Sequence, residues 1–179
     1  DLELVGHPKV GLHEASMANV SWLQELPDPG SKIVWDNYLM VSPSLAKQKG
    51  LKEGSLVRLE QTGAAGKALE LPVHITPGQH PQSVAVAIGY GRRLGGDLQK
   101  GVGFDVQGLI SQQGEQFTYS GQAVSFKKTG ECYPLAQTQG HHNMEGRQLA
   151  VETTSKSFKS TGGVGLHKHK IFSIWNGHK

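Results

Sequence analysis

The sequence predicts a mainly β domain that closes as a barrel or packs as a sandwich. Glycine is unusually frequent, with 24 glycines and 8 prolines in 179 residues, a composition typical of chains with many tight turns. Strand-like segments outnumber the one clear helical segment by about five to one, and turn signals separate them at roughly the 8–12 residue spacing of all-β domains. A chain of this length is expected to form one domain with one sizeable core.

The first part of the chain combines turns with short strands. Residues 1–30 show little periodicity and end in the rigid turn Leu26–Gly30. Two short apolar runs on either side of a polar pair then predict strands over Lys32–Trp35 and Tyr38–Val41.

One helix is predicted with both of its ends defined by sequence. Ser42 is a suitable N-cap, and Pro43 occupies the first helical position, where a missing N–H costs nothing. A helix of about one and a half turns is therefore expected over Ser44–Lys49. Gly50 follows as its left-handed C-terminal cap.

The remaining strands are predicted from alternation or from apolar runs between turn residues. In Ser55–Gln61, Val57 and Leu59 face away from the side chains on either side of them, as a period of two requires. Further strands are expected over Lys67–Ile75, Ser83–Tyr90, Phe117–Lys127 and Tyr133–Thr138, with loops at Thr62–Gly66 and Gly95–Gly103. Ser83–Tyr90 is almost wholly apolar, which predicts a central strand buried on both faces.

Charge and cysteine content exclude several classes of protein. The formal net charge is +3, but five lysines follow Gln148 and the preceding residues are close to neutral. A nucleic-acid-binding surface is therefore not implied, and we expect no such partner. No run of about 18 apolar residues is present, so no membrane span is expected. The single Cys132 excludes an internal disulfide and any multi-cysteine metal or iron–sulfur site in this chain.

Other short motifs favour ordinary structural roles. The glycines around Tyr90 lack the third glycine and the βαβ setting of a dinucleotide-binding fingerprint. His141 and His142 are adjacent and point apart in a strand or a helix, whereas His167 and His169 are spaced to share a strand face but lie among lysines. These patterns predict no metal site.

The loop Gly89–Gly96 is the strongest candidate for binding chemistry. It follows the most apolar strand, so Arg92 and Arg93 are expected at the rim of the barrel. Two guanidinium groups suit a pyrophosphate or a partner carboxylate, and the glycines let backbone N–H groups approach the same anion. A solvated loop without function is the alternative.

The C-terminal residues differ in character from the rest. Residues 148–179 are rich in Ser, Thr, Lys and Gly and are expected to form a flexible linker or tail. Ile171–Trp175 nevertheless contains four large apolar side chains, which need something to cover them. This pattern predicts that the polypeptide continues into a downstream domain or that the segment docks on another chain.

Several segments together resemble a known domain. They are Asn19–Pro29, Lys32–Asn37, Ser42–Pro43, Gly50–Gly54, Leu71–Val73 and Pro77–Gly78. They are similar to the C-terminal, molybdopterin dinucleotide-binding-like domain of the molybdopterin oxidoreductase superfamily. The resemblance implies a six-stranded double-psi β-barrel of the aspartate-decarboxylase-like kind with one or two short helices. It covers residues 19–147, and residues 1–18 are expected to be an irregular N-terminal lead.

Further matches point to one branch of that superfamily. They are Val84–Arg92, Gly101–Phe104, Lys128–Glu131 and Tyr133–Arg147. They resemble the molybdopterin-oxidoreductase-like iron–sulfur subunit of bacterial alternative complex III, a membrane-bound respiratory quinol oxidoreductase. The resemblance implies a location on the periplasmic side of the cytoplasmic membrane. It also implies, as partners, other domains of the same polypeptide and neighbouring subunits.

The resemblance implies a structural and non-catalytic role for this chain within an oxidoreductase subunit. Catalytic relatives carry a Trp-His-Thr-Gly-like segment, but Ser21–Glu25 lacks the His-Thr-Gly part, and Gly54-Ser55 replaces a frequent Gly-Asp. No cofactor is expected in this chain, with the parent's iron–sulfur clusters bound downstream. Loops Gly89–Gly103 and Tyr133–Arg147 would face neighbouring domains.

The alternative implied by the resemblance is a domain that still binds molybdopterin dinucleotide. In that case seven residues would line the site: Trp22, Gln24, Arg92, Arg93, His142, Asn143 and Arg147. The arginines would meet the pyrophosphate, and the side-chain amides would hydrogen-bond to the pterin edge.

Overall fold

The structure, a computed structural model, describes residues 1–13, 15–62, 68–139 and 153–161. Residues 63–66 of the predicted loop Thr62–Gly66, the first residue of the predicted strand Lys67–Ile75, and most of the C-terminal tail lie outside these residues. The strands are β1 (Leu2–His7), β2 (Leu39–Val41), β3 (Ser55–Gln61), β4 (Ala68–Ile75), β5 (Ser83–Ala87), β6 (Ser111–Gln113), β7 (Gln116–Thr118) and β8 (Gln122–Cys132). The helices are α1 (Ser21–Gln24), α2 (Pro43–Lys49), α3 (Ser155–Thr161) and a 3₁₀ turn at Gln107–Leu109.

Six strands form one mixed sheet in the order β1-β5-β2-β4-β3-β8. The β1–β5 and β2–β4 pairs are parallel, and the other neighbours are antiparallel. Because β1 also pairs with β8, the sheet closes on itself as a barrel. Strands β6 and β7 form a separate small hairpin. The prediction of a mainly β domain with short helices is thus confirmed.

The barrel encloses the main apolar core. Inward-facing aliphatic side chains from all six strands are fully buried, among them Leu4, Leu39, Val57, Leu71, Val84 and Val124. The α2 helix covers this core with Leu45 and Ala46. Burial on the order of 2 kcal/mol per large aliphatic side chain makes this cluster the main source of stability.

The helix α2 has the ends that the sequence predicts. The Ser42 hydroxyl accepts a hydrogen bond from the Leu45 N–H at 3.2 Å, and Gly50 adopts a left-handed φ of 62°. Strand β3 also has the predicted bounds, Ser55–Gln61. The strand expected over Ser83–Tyr90 ends earlier, at Ala87, because Gly89 turns the chain with a φ of 93°.

Several predicted local structures are wrong, and backbone geometry gives the reason for two of them. Lys32 and Trp35 have positive φ values of 63° and 66°, which are incompatible with a strand, so Lys32–Trp35 contributes one bridge, Ile33 to Gln137. The expected strand Tyr133–Thr138 does not form either, and the same Ile33–Gln137 bridge is its β pairing in the structure. The expected strand at Phe117–Lys127 is divided between β7 and β8 by the turn that contains Gly121, whose φ is 81°.

The first 18 residues are not the irregular lead that the sequence predicts. Leu2–His7 is a barrel strand that pairs in parallel with β5 from Glu3 opposite Ser83 to His7 opposite Ala87. The alternation of its apolar residues is too short to stand out, and its partner lies about 80 residues away. The strand therefore depends on tertiary pairing.

A second apolar cluster lies beside the barrel. Leu12, Ala15 and Ala18 from the turns after β1 pack with Ala87 and Tyr90 at the end of β5, and Val102 packs against them. This cluster joins the segment after β1 to the loop after β5. It thereby determines where the arginine-containing loop lies.

The chain divides into two compact units, 1–140 and 141–179. The described residues of the second unit include the short helix α3. Ile171–Trp175 lies outside the described residues, as do the remaining parts of the predicted linker. Across the described ranges, the structure has no helix of the length and apolarity needed to span a membrane.

Candidate functional site

A cavity of about 560 Å³ lies where strand β5 enters the following loop. Backbone and side-chain atoms of a glycine-rich segment line one side, and residues from the next loop and the approach to β8 line the other. The lining residues are Ile88, Gly89, Tyr90, Gly91, Arg92, Arg93, Leu94, Asp105, Gln107 and Tyr119. The cavity thus contains both arginines that the sequence predicts to lie at the rim.

The geometry of the loop requires a glycine at position 91. Gly91 has a φ of 71°, and a Cβ atom there would lie 2.1 Å from the Asp105 backbone nitrogen. The Gly91 N–H also donates a hydrogen bond to the Val102 carbonyl at 2.9 Å. The chain segments on either side of Arg92 and Arg93 are therefore in direct contact.

Asn37 joins the two ends of this loop. Its Nδ2 donates to the Ala87 carbonyl at 2.8 Å and to the Phe104 carbonyl at 2.9 Å, and its Oδ1 accepts from the Phe104 N–H at 2.8 Å. The side chain is fully buried. Secondary structure leaves these backbone groups before and after the arginine loop unpaired, and the Asn37 amide supplies their hydrogen-bond partners.

Lys9 lies beneath the loop in an unusual environment for a cation. It is 5% exposed, and its Nζ donates to the Tyr90 hydroxyl at 2.8 Å and to the Asp36 carbonyl at 3.4 Å. Burial lowers the pKa of Lys9, and the negative charges of Asp28 and Asp36 oppose that effect in part. Burial likewise raises the pKa of Tyr90. The pair forms a hydrogen bond that is shielded from water.

Two other tyrosines extend this polar region. The Tyr133 hydroxyl donates to Asp36 Oδ2 at 2.9 Å, and burial followed by this carboxylate raises the pKa of Tyr133 to about 12. The Tyr38 and Ser31 hydroxyls are 2.6 Å apart, and burial raises the pKa of Tyr38 to about 12. These groups therefore stay protonated and act as hydrogen-bond partners at neutral pH.

Asp28 completes this region as an anion. Burial by itself raises the pKa of Asp28, but hydrogen bonds from the Ser31 and Gly30 N–H groups and from the Ser31 hydroxyl outweigh it, so the pKa lies below its ordinary value. The carboxylate remains charged near Lys9 at neutral pH.

Arg92 and Arg93 are exposed, and no ion pair involves them in the part of the chain that the structure describes. Guanidinium groups next to accessible glycine backbone suit an anion that has several oxygen atoms. This cavity can therefore hold a phosphate or carboxylate group.

The other predicted site residues do not join the arginines. Trp22 and Gln24 lie on helix α1, but Trp22 is 82% exposed and Gln24 is 2% exposed. Gln24 Nε2 donates to the Ala18 carbonyl at 2.8 Å, and its Oε1 has no hydrogen-bond partner among the described residues. Neither residue lines the cavity. The predicted residues His142, Asn143 and Arg147 lie outside the described residues.

The residues present fit a pterin dinucleotide only in part. Arg92 and Arg93 suit a pyrophosphate, whereas the amide of Gln24 is engaged with the main chain. The described ranges also contain no cluster of three or more His, Cys, Asp or Glu side chains that would hold a metal ion. The histidine pairs noted in the sequence lie outside these ranges.

Sequence reasoning missed Asn37, Lys9 and three lining residues of the cavity. Asn37 follows Asp36 between two apolar runs and has the composition of an ordinary turn. Lys9 lies in a segment without periodicity. The lining residues Asp105, Gln107 and Tyr119 are separated from the arginines by intervening loops. No local pattern distinguishes any of them from surface residues.

Comparisons with known proteins relate the chain to molybdopterin enzymes. No protein-family model matches it. It is 40% identical over 67 residues to the thiosulfate reductase molybdopterin-containing subunit PhsA of Salmonella typhimurium, a match that covers 36% of this chain and 8% of that subunit. Its fold is similar to that of acetylene hydratase from Pelobacter acetylenicus, with a TM-score of 0.52 and 15% identity.

The structural match covers 71% of this chain and 18% of acetylene hydratase. The chain thus spans less than a fifth of the length of either protein. The structural match shows the fold alone, and the sequence match adds a specific relative. The sequence similarity is therefore to one part of a molybdopterin-containing subunit, and the fold similarity is to one part of acetylene hydratase.

Proposed function

We propose that this chain is a non-catalytic structural domain of a molybdopterin-oxidoreductase-like iron–sulfur subunit in a bacterial respiratory quinol-oxidising complex, alternative complex III. The resemblance of residues 19–147 to that subunit supports the branch. The similarity to a molybdopterin-containing subunit supports the wider family. The chain would serve as a rigid support within a longer polypeptide whose iron–sulfur clusters are bound downstream.

The observation that carries this proposal is the arrangement of helix α1. A pterin site needs its hydrogen-bonding side chains to converge on one ligand. Here Gln24 is directed into the protein and donates to Ala18, whereas Trp22 on the same helix is directed to solvent. The His-Thr-Gly part of the family segment is also absent from this chain. Both features favour a domain that no longer binds the pterin.

We propose a double-psi topology for the barrel. The sheet contains two parallel pairs, β1 with β5 and β2 with β4, whereas its other neighbouring strands are antiparallel. These two parallel pairs support the double-psi topology. Parallel neighbours require crossover connections rather than hairpins. Such crossovers make the barrel rigid and place its long loops at the ends, where they are available to neighbouring domains.

The proposed setting is the periplasmic side of the bacterial cytoplasmic membrane, with other domains of the polypeptide and other subunits as partners. Trp22 and Leu94 support a partner role, because they are the most exposed of several large apolar side chains in two segments, and groups of such side chains mark interaction sites. Neither nucleic acid nor lipid is a proposed partner.

The test is a metal and pterin analysis of the intact parent subunit, purified in its complex. We expect iron from the downstream clusters and no stoichiometric molybdenum, tungsten or pterin. Iron serves as the internal control for cofactor loading. One molybdopterin dinucleotide per polypeptide would contradict the non-catalytic role.

A second candidate function is that of a lid that binds molybdopterin dinucleotide in an active oxidoreductase. The cavity with Arg92 and Arg93 favours it, since these cations and the glycine backbone suit a pyrophosphate. A bound molybdopterin would supply redox chemistry at its metal. This chain's own contribution would be to hold the pyrophosphate and exclude water.

The double variant Arg92→Ala/Arg93→Ala distinguishes the two candidates. Under the lid hypothesis, the purified parent protein loses most of its pterin while the fold remains. Under the structural hypothesis, pterin content is unchanged and subunit assembly weakens. Lys47→Ala/Lys49→Ala removes two charges from helix α2 and is the matched control.

A further inference from the structure

Exposed apolar side chains are concentrated in two segments of the chain. In the described ranges nine large apolar residues are exposed, and seven of them belong to residues 10–26 or 91–100. We call these seven the Trp22 face. They are Val10, Met17, Val20, Trp22, Leu26, Leu94 and Leu98. Trp22 and Leu94 are the most exposed, at 82% and 90%.

The two segments of the Trp22 face are in direct contact. A Cβ atom at Gly96 would lie 2.1 Å from Asn19 Oδ1, and a Cβ atom at Gly89 would lie 2.8 Å from the Ala15 backbone nitrogen. Leu94 therefore lies two residues from a contact with Asn19, which precedes Trp22 by three residues. The two segments that carry the exposed side chains are thus adjacent in the fold.

The cations of this surface lie on its loop segment, whereas residues 10–26 contain Glu14 and Glu25 and no lysine or arginine. Residues 91–100 contain Arg92, Arg93 and Lys100 against Asp97, all of them exposed. The cations border the apolar side chains on the loop. A partner that complements this pattern needs large apolar side chains with carboxylates beside them.

We propose that the Trp22 face is a docking surface for a protein partner in the same assembly, and that this partner presents apolar side chains bordered by Asp or Glu. The proposal deepens the structural role proposed above and rests on it. Aromatic residues and arginines are enriched among the energetically dominant residues of interfaces, and the two segments contain both kinds.

A protein surface fits better than an anionic membrane. Lipid-binding patches usually contain about four to eight Lys or Arg residues. The loop has three cations, and Asp97 and Glu25 are exposed carboxylates in the same two segments. Their repulsion of anionic headgroups disfavours lipid as the occupant, whereas a protein partner can place its own cations opposite them.

The first test is site-specific photocrosslinking in the intact complex in native membranes. A photoreactive benzoylphenylalanine replaces Trp22 or Leu94, and Phe117, exposed on β7, is replaced as the control. We expect cross-links from the first two positions to a protein segment of the complex that contains both apolar and acidic residues. Cross-links to lipid or to a second copy of this chain, or a yield no higher than from Phe117, would overturn the proposal.

The second test removes the apolar anchors without disturbing the core. Trp22→Ser/Leu94→Ser should lower retention of the subunit in the detergent-solubilised complex by about tenfold or more, because such anchors dominate binding. Phe117→Ser should leave retention at the wild-type level. The urea midpoint of the isolated 179-residue chain should stay unchanged in Trp22→Ser/Leu94→Ser, since both side chains are almost fully exposed. It should fall slightly in Phe117→Ser, because Phe117 is half-buried and stacks on Tyr119. Wild-type retention of the double variant would overturn the proposal.

The third test addresses charge. Arg92→Glu/Arg93→Glu should weaken retention by about tenfold at low ionic strength, with the difference reduced in 1 M salt as screening shortens to about 3 Å. A salt-independent or absent effect would contradict the acidic character of the partner.

Failure of this proposal is distinguishable from failure of the proposed function. Stoichiometric molybdenum together with specific protein cross-links would refute the non-catalytic role and leave the docking surface intact. Absence of molybdenum without specific protein cross-links would support the non-catalytic role and refute the docking surface.

Discussion

Replacement of Asn37 by alanine is the most informative perturbation of this domain. The substitution removes three hydrogen bonds of 2.8–2.9 Å, two to Phe104 and one to the Ala87 carbonyl. The Ala87 partner is fully buried, and a buried polar group that loses its partner costs about 1–3 kcal/mol. The Phe104 groups are partly buried, so water recovers some of their loss. We expect the free energy of unfolding to fall by about 3 kcal/mol.

The measurement is urea-induced unfolding of the 179-residue chain at neutral pH, followed by circular dichroism. Asn19→Ala is the matched control, because it deletes an exposed amide beside the same loop and should change stability by less than about 0.5 kcal/mol. Hydrogen exchange should show that Phe104 loses amide protection while the strand amide of Leu59 retains it. Equal stability of the two variants would refute the role assigned to Asn37.

Two further predictions concern the loop backbone and the buried phenols. Gly91→Ala should lower the free energy of unfolding by at least about 2 kcal/mol in thermal or urea unfolding, because its Cβ would meet Asp105. Gly101→Ala, with a similar φ of 76° and open space around it, should lower it by about 1 kcal/mol. Equal losses would contradict the contact with Asp105. Burial holds the pKa of Tyr38 at about 12, above the value of 10.0 for a free side chain. As the pH rises, the Tyr38 hydroxyl therefore loses its proton in the unfolded chain before it does so in the folded domain. The free energy of unfolding should consequently fall between about pH 10 and 12. In Tyr38→Phe that fall should be smaller by on the order of 2 kcal/mol, and an unchanged pH profile would show that Tyr38 ionises normally in the folded domain.

Local sequence patterns correctly predicted the elements whose structure depends on near neighbours. Ser42, Pro43 and Gly50 define helix α2 because capping is a contact between residues three or four apart. The alternation in Ser55–Gln61 predicted β3 because that strand has one face in the core. In contrast, Leu2–His7 was missed, since its identity as a strand comes from a partner far along the chain.

The candidate site was predictable only in the loop Gly89–Gly96, which contains its two arginines. Arg92 and Arg93 follow an apolar strand and lie among glycines, so their position at a rim follows from the sequence. The prediction grouped Trp22 and Gln24 with them by family resemblance. The structure separates those two because residues two positions apart on a helix point in roughly opposite directions, so Gln24 is directed inward and Trp22 to solvent.

The sequence by itself determined the mainly β class, the capped helix, the apolar strand and the cationic loop that follows it. Each of these is encoded by residues that lie within a few positions of one another. Tertiary structure alone decided that β1 closes the barrel, that Asn37 joins the ends of the loop, and that Lys9 is buried against Tyr90. These contacts join residues 50 to 122 positions apart. Their energies come from burial and hydrogen bonding that exist only when the chain has folded.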